Sequence, residues 1–242
     1  MTESGIPRII GHRGVRTLAP ENSLSGVRAA AQWGLRWVEL DVTLLGDGTP
    51  VIHHDDDLAR LCGRPVSLRD LSVADLPRID IGSHYPYSSP EPLPTLAEML
   101  ELLDELGMGL NLEVKEYGLD PRYVIQQIVP VIERFDPERL ILSSFSSEQL
   151  RQCQLLLPEL RRGLLTARLP PDWPLLLENL GIFSVHYRWR ALKDRELALL
   201  TATGRPVICW TVNNRAAGER LLKKGVTAII TDDPRPFAQF LG

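Results

Sequence analysis

The sequence predicts an α/β fold, a (β/α)8 TIM barrel with a small inserted subdomain after the second strand. Three observations carry that prediction. Short apolar runs alternate with amphipathic stretches along the whole chain. About eight such strand–helix units fit into 242 residues, close to the ~250 typical of this barrel. Polar and charged residues stand at the C-terminal ends of these runs, the rim on which such barrels build their active sites. A doubly wound parallel sheet has a similar content of elements and is the rival fold.

The expected strands lie near 8–11, 36–43, 109–115, 139–143, 162–165, 182–186, 206–210 and 227–230. Helical periodicity falls between them, near 23–33, 95–106, 121–134, 147–157, 173–179, 193–203 and 215–223, with a last stretch near 235–241. The first helix shows the signals. Asn22 or Ser23 can cap it, Leu24, Val27 and Ala31 fall on one face, and Gly34 stops it.

Residues 44–94 break the rhythm, because a βα connection usually takes about 2–6 residues. The segment opens on the turn signal Gly46-Asp47-Gly48, and 83–94 carries four prolines and two tyrosines. Leu58, Leu61, Leu68, Leu71, Leu76 and Ile79 offer it apolar anchors. It reads as a folded insertion at the barrel's C-terminal face, within one domain spanning 1–242.

Composition narrows the function. A net charge of -4 with no basic run leaves no footprint for nucleic acid. Three distant cysteines, Cys62, Cys153 and Cys209, fit a reduced, cytoplasmic chain. Residues 1–7 lack the charged-then-apolar pattern of a secretory leader, and no apolar run approaches the ~20 residues of a membrane span. No oligomeric state follows from these patterns.

The second strand reads Trp37-Val38-Glu39-Leu40-Asp41-Val42. Residues i and i+2 of a strand share a face, so Glu39 and Asp41 aim together while Val38, Leu40 and Val42 face the other way. Two convergent carboxylates need a cation or a shared proton, and their hard oxygens suit one divalent ion, Mg2+ or Ca2+. The plainer alternative is an edge strand with a solvated acidic face. On the third strand Asn111, Glu113 and Lys115 share a face, so Glu113 offers a third carboxylate. Lys115 and Arg13 can hold an anion beside the ion, although Lys115 can instead neutralise Glu113.

His12 lies between Gly11 and Gly14, which permit close backbone approach. Of His53 and His54, alternation lets one face the site; His54 is favoured, and spacing does not decide between them. Trp210, at a strand end, is either core or ligand-facing, and His84 and His186 read as structural. Three carboxylates, two cations and two histidines suggest phosphoryl chemistry. An ion polarises the phosphoryl oxygen and two histidines divide the proton transfers.

The ordered motifs extend the reading. They are His12-Arg13-Gly14, Pro20-Glu21-Asn22-Ser23, Glu39-Leu40-Asp41-Val42 and Asp47-Gly48-Thr49-Pro50-Val51. There follow His54-Asp55-Asp56-Asp57-Leu58-Ala59-Arg60, Pro94-Thr95-Leu96, Glu113-Val114-Lys115, Ser144-Phe145, Trp210-Thr211-Val212-Asn213 and Thr231-Asp232. In this order and over essentially the whole chain, they resemble the glycerophosphodiester phosphodiesterases, most closely the compact, cytoplasmic bacterial type.

The resemblance implies hydrolysis of a small-molecule glycerophosphodiester, such as glycerophosphocholine, to glycerol 3-phosphate and an alcohol. It implies His12 and His54 as the acid/base pair, with His54 also near the metal. Glu39, Asp41 and Glu113 would hold the divalent ion, and Arg13, Lys115 and Trp210 would contact substrate. One family route lets the substrate's own 2-hydroxyl attack phosphorus, giving a cyclic phosphate that water opens. Leu61-Cys62-Gly63 departs from the pattern, since many members carry Thr and a longer loop there. A lysophospholipase D-like enzyme is the nearest alternative and would need a greasy mouth, to which Tyr85 and Tyr87 can contribute. A non-catalytic phosphodiester-binding barrel would have lost a carboxylate or a histidine, and none is missing.

Overall fold

Eight parallel strands close on themselves in the computed structural model, which describes residues 5–85 and 89–241. Along the chain the strands are β1 (Ile9–His12), β2 (Trp37–Leu44), β3 (Pro50–Ile52), β4 (Gly109–Val114), β5 (Leu140–Ser144), β6 (Arg161–Thr166), β7 (Ile182–Arg188), β8 (Val207–Trp210) and β9 (Ala228–Thr231). They are ordered β1-β9-β8-β7-β6-β5-β4-β2-β3, and a further β1–β2 pairing closes the circle. That closure excludes the doubly wound sheet, whose edges stay open. The helices are α1 (Leu24–Gln32), α2 (Ala59–Cys62), α3 (Leu96–Glu105), α4 (Pro121–Ile132), α5 (Ser147–Leu156), α6 (Trp173–Asn179), α7 (Asp194–Thr201) and α8 (Arg215–Lys223). The stretch expected near 235–241 is a 3-10 helix, Arg235–Phe240, kinked at Phe237.

Strand alternation divides the interior. Val38, Leu40 and Val42 pack outward with Leu110, Leu112 and Val114 into the core shared with the helices. Ile10, Trp37, Ile141, Ile208, Ala228 and Ile230 form a separate apolar cluster within the barrel. Gly109 makes that packing feasible, because a Cβ there would lie 2.2 Å from Cε2 of Trp37. No helix among the described residues is long and apolar enough to cross a membrane.

The segment after β2 turns at Gly48 (φ +87) and returns as β3, antiparallel to the end of β2. It continues through α2 and two 3-10 turns, Leu68–Asp70 and Val73–Arg78. Leu58, Leu68, Leu76 and Ile79 are buried in a satellite cluster, and Leu61 and Leu71 pack against it. Tyr87 and residues 1–4, on which the aromatic mouth and the leader reading drew, lie outside the described residues. At α1, Ser23 caps the helix by accepting from the Gly26 amide, and Asn22 is left for another role.

Candidate active site

Glu39 and Asp41 on β2 are buried, and Glu113 on β4 pairs in register with Asp41. One oxygen from each of the three lies within 4.8 Å of the others. The edge-strand reading is overturned, because β2 sits between β1 and β4 and all its residues are buried. Burial, with Asp41 and Glu113 nearby, holds the Glu39 carboxyl well above the usual range. Burial and Asp41 likewise raise Glu113. Burial also works against ionisation of Asp41, but Lys115, Arg13 and His54 outweigh it and hold Asp41 well below the usual range.

Lys115 extends its Nζ to 2.7 Å from Asp41 Oδ1 and also bonds Glu113. Arg13 Nε is 3.2 Å from Asp41 Oδ2. Both cations expected to hold an anion thus stand against the carboxylates, and Lys115 neutralises Asp41 as well as Glu113. The Arg13 amide donates to Glu39 Oε2 (3.1 Å). Asn22 donates its side-chain amide to Asp41 Oδ2 (2.9 Å) and accepts the Asp41 backbone N–H (3.2 Å). Arg13 (φ +50) and Asn22 (φ +56) hold left-handed backbone, which costs a non-glycine residue about 1–3 kcal/mol. Glu39 Oε1 is buried with no hydrogen-bond partner among the described residues. Convergent hard oxygens with a free acceptor fit a divalent ion of the Mg2+ or Ca2+ kind.

Each of two histidines rests on a carboxylate through Nδ1. His12, ending β1, places Nδ1 2.5 Å from Asp232 Oδ1 and Nε2 3.8 Å from Glu39 Oε2. Asn213 donates to Asp232 Oδ2 (2.6 Å) and accepts its backbone N–H (2.9 Å). His54, just past β3, places Nδ1 2.7 Å from Asp55 Oδ1, and Arg60 Nε donates to Asp55 Oδ2 (2.7 Å). The Tyr117 hydroxyl donates to the His54 carbonyl. His53 turns the other way, fully buried, with Nε2 2.9 Å from the Asp57 carbonyl. Burial lowers the His54 pKa, against the opposing pull of Asp41.

Glu21 ties the two sides together. Its Oε1 accepts from Arg13 Nη1 and from Arg60 Nη2, both at 2.7 Å. Trp210, ending β8, meets the exposed Phe145 edge to face at 5.7 Å between centroids, and its Nε1 donates to the His186 carbonyl (3.0 Å). His186 lies inside the barrel and His84 on the surface. Asp232, Asp55, Glu21, Asn22 and Phe145 were missed as site residues. All five stand inside quoted motifs, yet no spacing along the chain says which carboxylate meets which histidine.

The model of the glycerophosphoryl diester phosphodiesterase family matches residues 12–235. A glycerophosphodiester phosphodiesterase of Caldanaerobacter subterraneus is 29% identical over 229 residues, covering 93% of this chain and 94% of that protein. A lysophospholipase D of Rattus norvegicus is 25% identical, covering 98% and 86%. The structure of a phosphodiesterase from Oleispira antarctica, in complex with the product sn-glycerol-3-phosphate, is similar at 33% identity. It superposes with a TM-score of 0.90 and covers 98% of each chain.

Proposed function

The chain belongs to the glycerophosphoryl diester phosphodiesterase family, and on that premise we propose that it hydrolyses water-soluble glycerophosphodiesters to glycerol 3-phosphate and an alcohol, with His12 and His54 as acid and base. One observation carries the proposal: both histidines are held at Nδ1 by a carboxylate beside a single acidic triad. A carboxylate accepts only from an N–H, so Nδ1 keeps its proton and Nε2 is left to exchange one with substrate.

Glu39, Asp41 and Glu113 would hold one divalent ion, Mg2+ or Ca2+. When bound, that ion supplies Lewis-acid polarisation of a phosphoryl oxygen. Arg13 and Lys115, held against these carboxylates and Glu21, would also bring positive charge close to the phosphoryl oxygens. The neutral histidine takes the proton of the attacking hydroxyl as the new P–O bond forms. The protonated one gives its proton to the departing alkoxide as the old bond breaks; where the attacking hydroxyl is the substrate's own, water then opens the cyclic phosphate with the two histidines exchanging roles. Trp210, with Phe145 against it, offers an apolar wall at the rim for the carbon skeleton. Three free cysteines, Cys62, Cys153 and Cys209, support a reducing, cytoplasmic setting.

That wall also favours a second reading, since Phe145 is 47% exposed and can receive an acyl chain. One experiment separates the two. Release of glycerol 3-phosphate is measured from glycerophosphocholine, glycerophosphoethanolamine and glycerophosphoglycerol, and of choline from lysophosphatidylcholine, each with and without chelator. Similar turnover of all three soluble diesters, abolished by chelator, is expected. Faster turnover of the lysophospholipid would replace the proposal with lysophospholipase D activity, and full turnover under exhaustive chelation would end the cation's role.

A further inference from the structure

One step deeper along the strands than Asp41 and Glu113, the barrel carries a second polar layer. Asn111 on β4 pairs in register with Glu39 and is fully buried. Ser143 on β5 and Ser184 and His186 on β7 are fully buried too. Gly163 on β6 lies among them. A Cβ there would come within 2.6 Å of His186 Nε2 and 3.1 Å of Ser143 Cβ, so the imidazole fills the space a side chain would take. His186 Nε2 is 2.8 Å from Ser184 Oγ. Burial lowers the His186 pKa to about 3, so the ring is neutral and offers one N–H and one lone pair.

The layer is not self-sufficient. Both amide atoms of Asn111, Ser143 Oγ, His186 Nδ1 and Glu39 Oε1 are buried without a hydrogen-bond partner among the described residues. They come from β2, β4, β5 and β7, and with β6 these strands are consecutive around the sheet. Buried polar atoms in folded proteins nearly always find a partner in protein or ordered water. Apolar side chains would fill the same space without that demand, as they do in the cluster of Ile10, Trp37 and Ile141. Donors and acceptors facing one interior from several strands make the multiple contacts that hold a buried water.

We infer that Asn111, Ser143 and His186 bind a chain of internal water molecules that ends on Oε1 of Glu39, and that this hydrated layer positions Glu39 for the cation. The inference rests on the reading of Glu39, Asp41 and Glu113 as a cation site. Oε2 of Glu39 is already fixed by the Arg13 amide, so a water on one lone pair of Oε1 would set the rotation of the carboxylate plane and leave the other to the cation. Groups that orient a ligating carboxylate tune metal affinity by about 10–100-fold. Asn111 is thus a positioning residue.

The test reads cation affinity and not turnover. Mg2+ and Ca2+ binding is measured by titration calorimetry on the wild type, Asn111→Leu, Asn111→Ser and Ser143→Ala, beside melting curves of each cation-free protein. Asn111→Leu keeps the branched shape and heavy-atom count and removes both polar amide atoms, and its affinity should fall about 10–100-fold. Asn111→Ser leaves a hydroxyl with room for one more water and should recover most of the loss. Ser143→Ala, the smallest change, should lose less and decides the matter if Asn111→Leu fails to fold. A crystal structure of the wild type should show ordered waters joining Asn111, Ser143 and His186 to Glu39. Unchanged affinity in Asn111→Leu and Ser143→Ala would overturn the inference, as would an interior without those waters. If the wild type binds neither cation, the cation reading fails and the positioning role with it, whereas the waters stand or fall by the crystal structure.

Discussion

His12 Nδ1 and Asp232 Oδ1 stand 2.5 Å apart across 220 residues of sequence. The contact joins the end of β1 to the residue after β9, neighbours in the closed barrel. Its counterpart, His54 with Asp55, spans adjacent residues. Two histidines therefore reach the same pose by opposite routes, one tertiary and one local. Asparagine at position 232 would present an amide N–H to Nδ1 and favour the tautomer with the proton on Nε2. Asp232→Asn should lower kcat toward glycerophosphocholine by about 10²–10⁴-fold. A circular dichroism melt close to wild type would show that the fold is kept; near-normal turnover would remove Asp232 from the mechanism.

If His12 and His54 serve opposite ends of one displacement, each matters separately. His12→Ala and His54→Ala should each cost about 10²–10⁴ in turnover, or roughly 3–5 kcal/mol of barrier. A nitrophenyl diester needs no proton on its leaving group, so it should rescue the variant lacking the general acid and leave the other impaired. His53→Asn, at a residue bonded to the Asp57 carbonyl, should change turnover little. A large loss at His53 with His54→Ala near wild type would exchange their roles.

Chelation should abolish turnover, and added Mg2+ or Ca2+ should restore it. Glu39→Gln should abolish the rise in melting temperature that the cation gives the wild type, while the cation-free variant melts at or above the wild-type temperature. Amide replaces a carboxylate crowded by Asp41 and Glu113, so its loss relieves repulsion. A cation-induced rise that survives in Glu39→Gln would exclude Glu39 as a ligand.

His186 ties stability to acid. Its pKa is about 3 in the fold, lowered by burial from the ordinary 6.5. The unfolded chain therefore binds a proton that the folded chain refuses between those two values. Stability from this group is complete above pH 6.5 and declines as pH falls toward 3, by at most about 1.4 kcal/mol per unit. Urea unfolding at pH 7, 6 and 5 should show a steeper decline for wild type than for His186→Gln. Equal slopes would mean that the imidazole meets a proton in the fold after all.

The barrel was legible because its strands mostly obey one simple rule: outward residues are apolar, as at Val38, Leu40 and Val42, with Ser144 and Arg162 among the exceptions. The same alternation grouped Glu39 with Asp41, and Asn111 with Glu113. What escaped was short or distant. β3 has three residues and α2 four, below the length at which periodicity speaks. Asn22 looked like a helix cap as good as Ser23, and only its left-handed backbone turns it toward Asp41. Glu21 gathers Arg13 and Arg60 from positions 8 and 39 residues away, a convergence that depends on how the insertion folds back. Asp232 belongs to His12 only once the barrel closes.

That closure also sets an order in time. The three carboxylates are all present once residue 113 has been synthesised, and β2 and β4 can pair at that stage. The carboxylate that steadies His12 arrives more than a hundred residues later, just past the strand that β1 must wait for. A nascent chain on the ribosome thus owns its acidic triad well before it owns an oriented His12. If His12 is one of the acid/base pair, turnover should switch on only with the docking of the final strand, and the emergence of catalysis would then report completion of the fold.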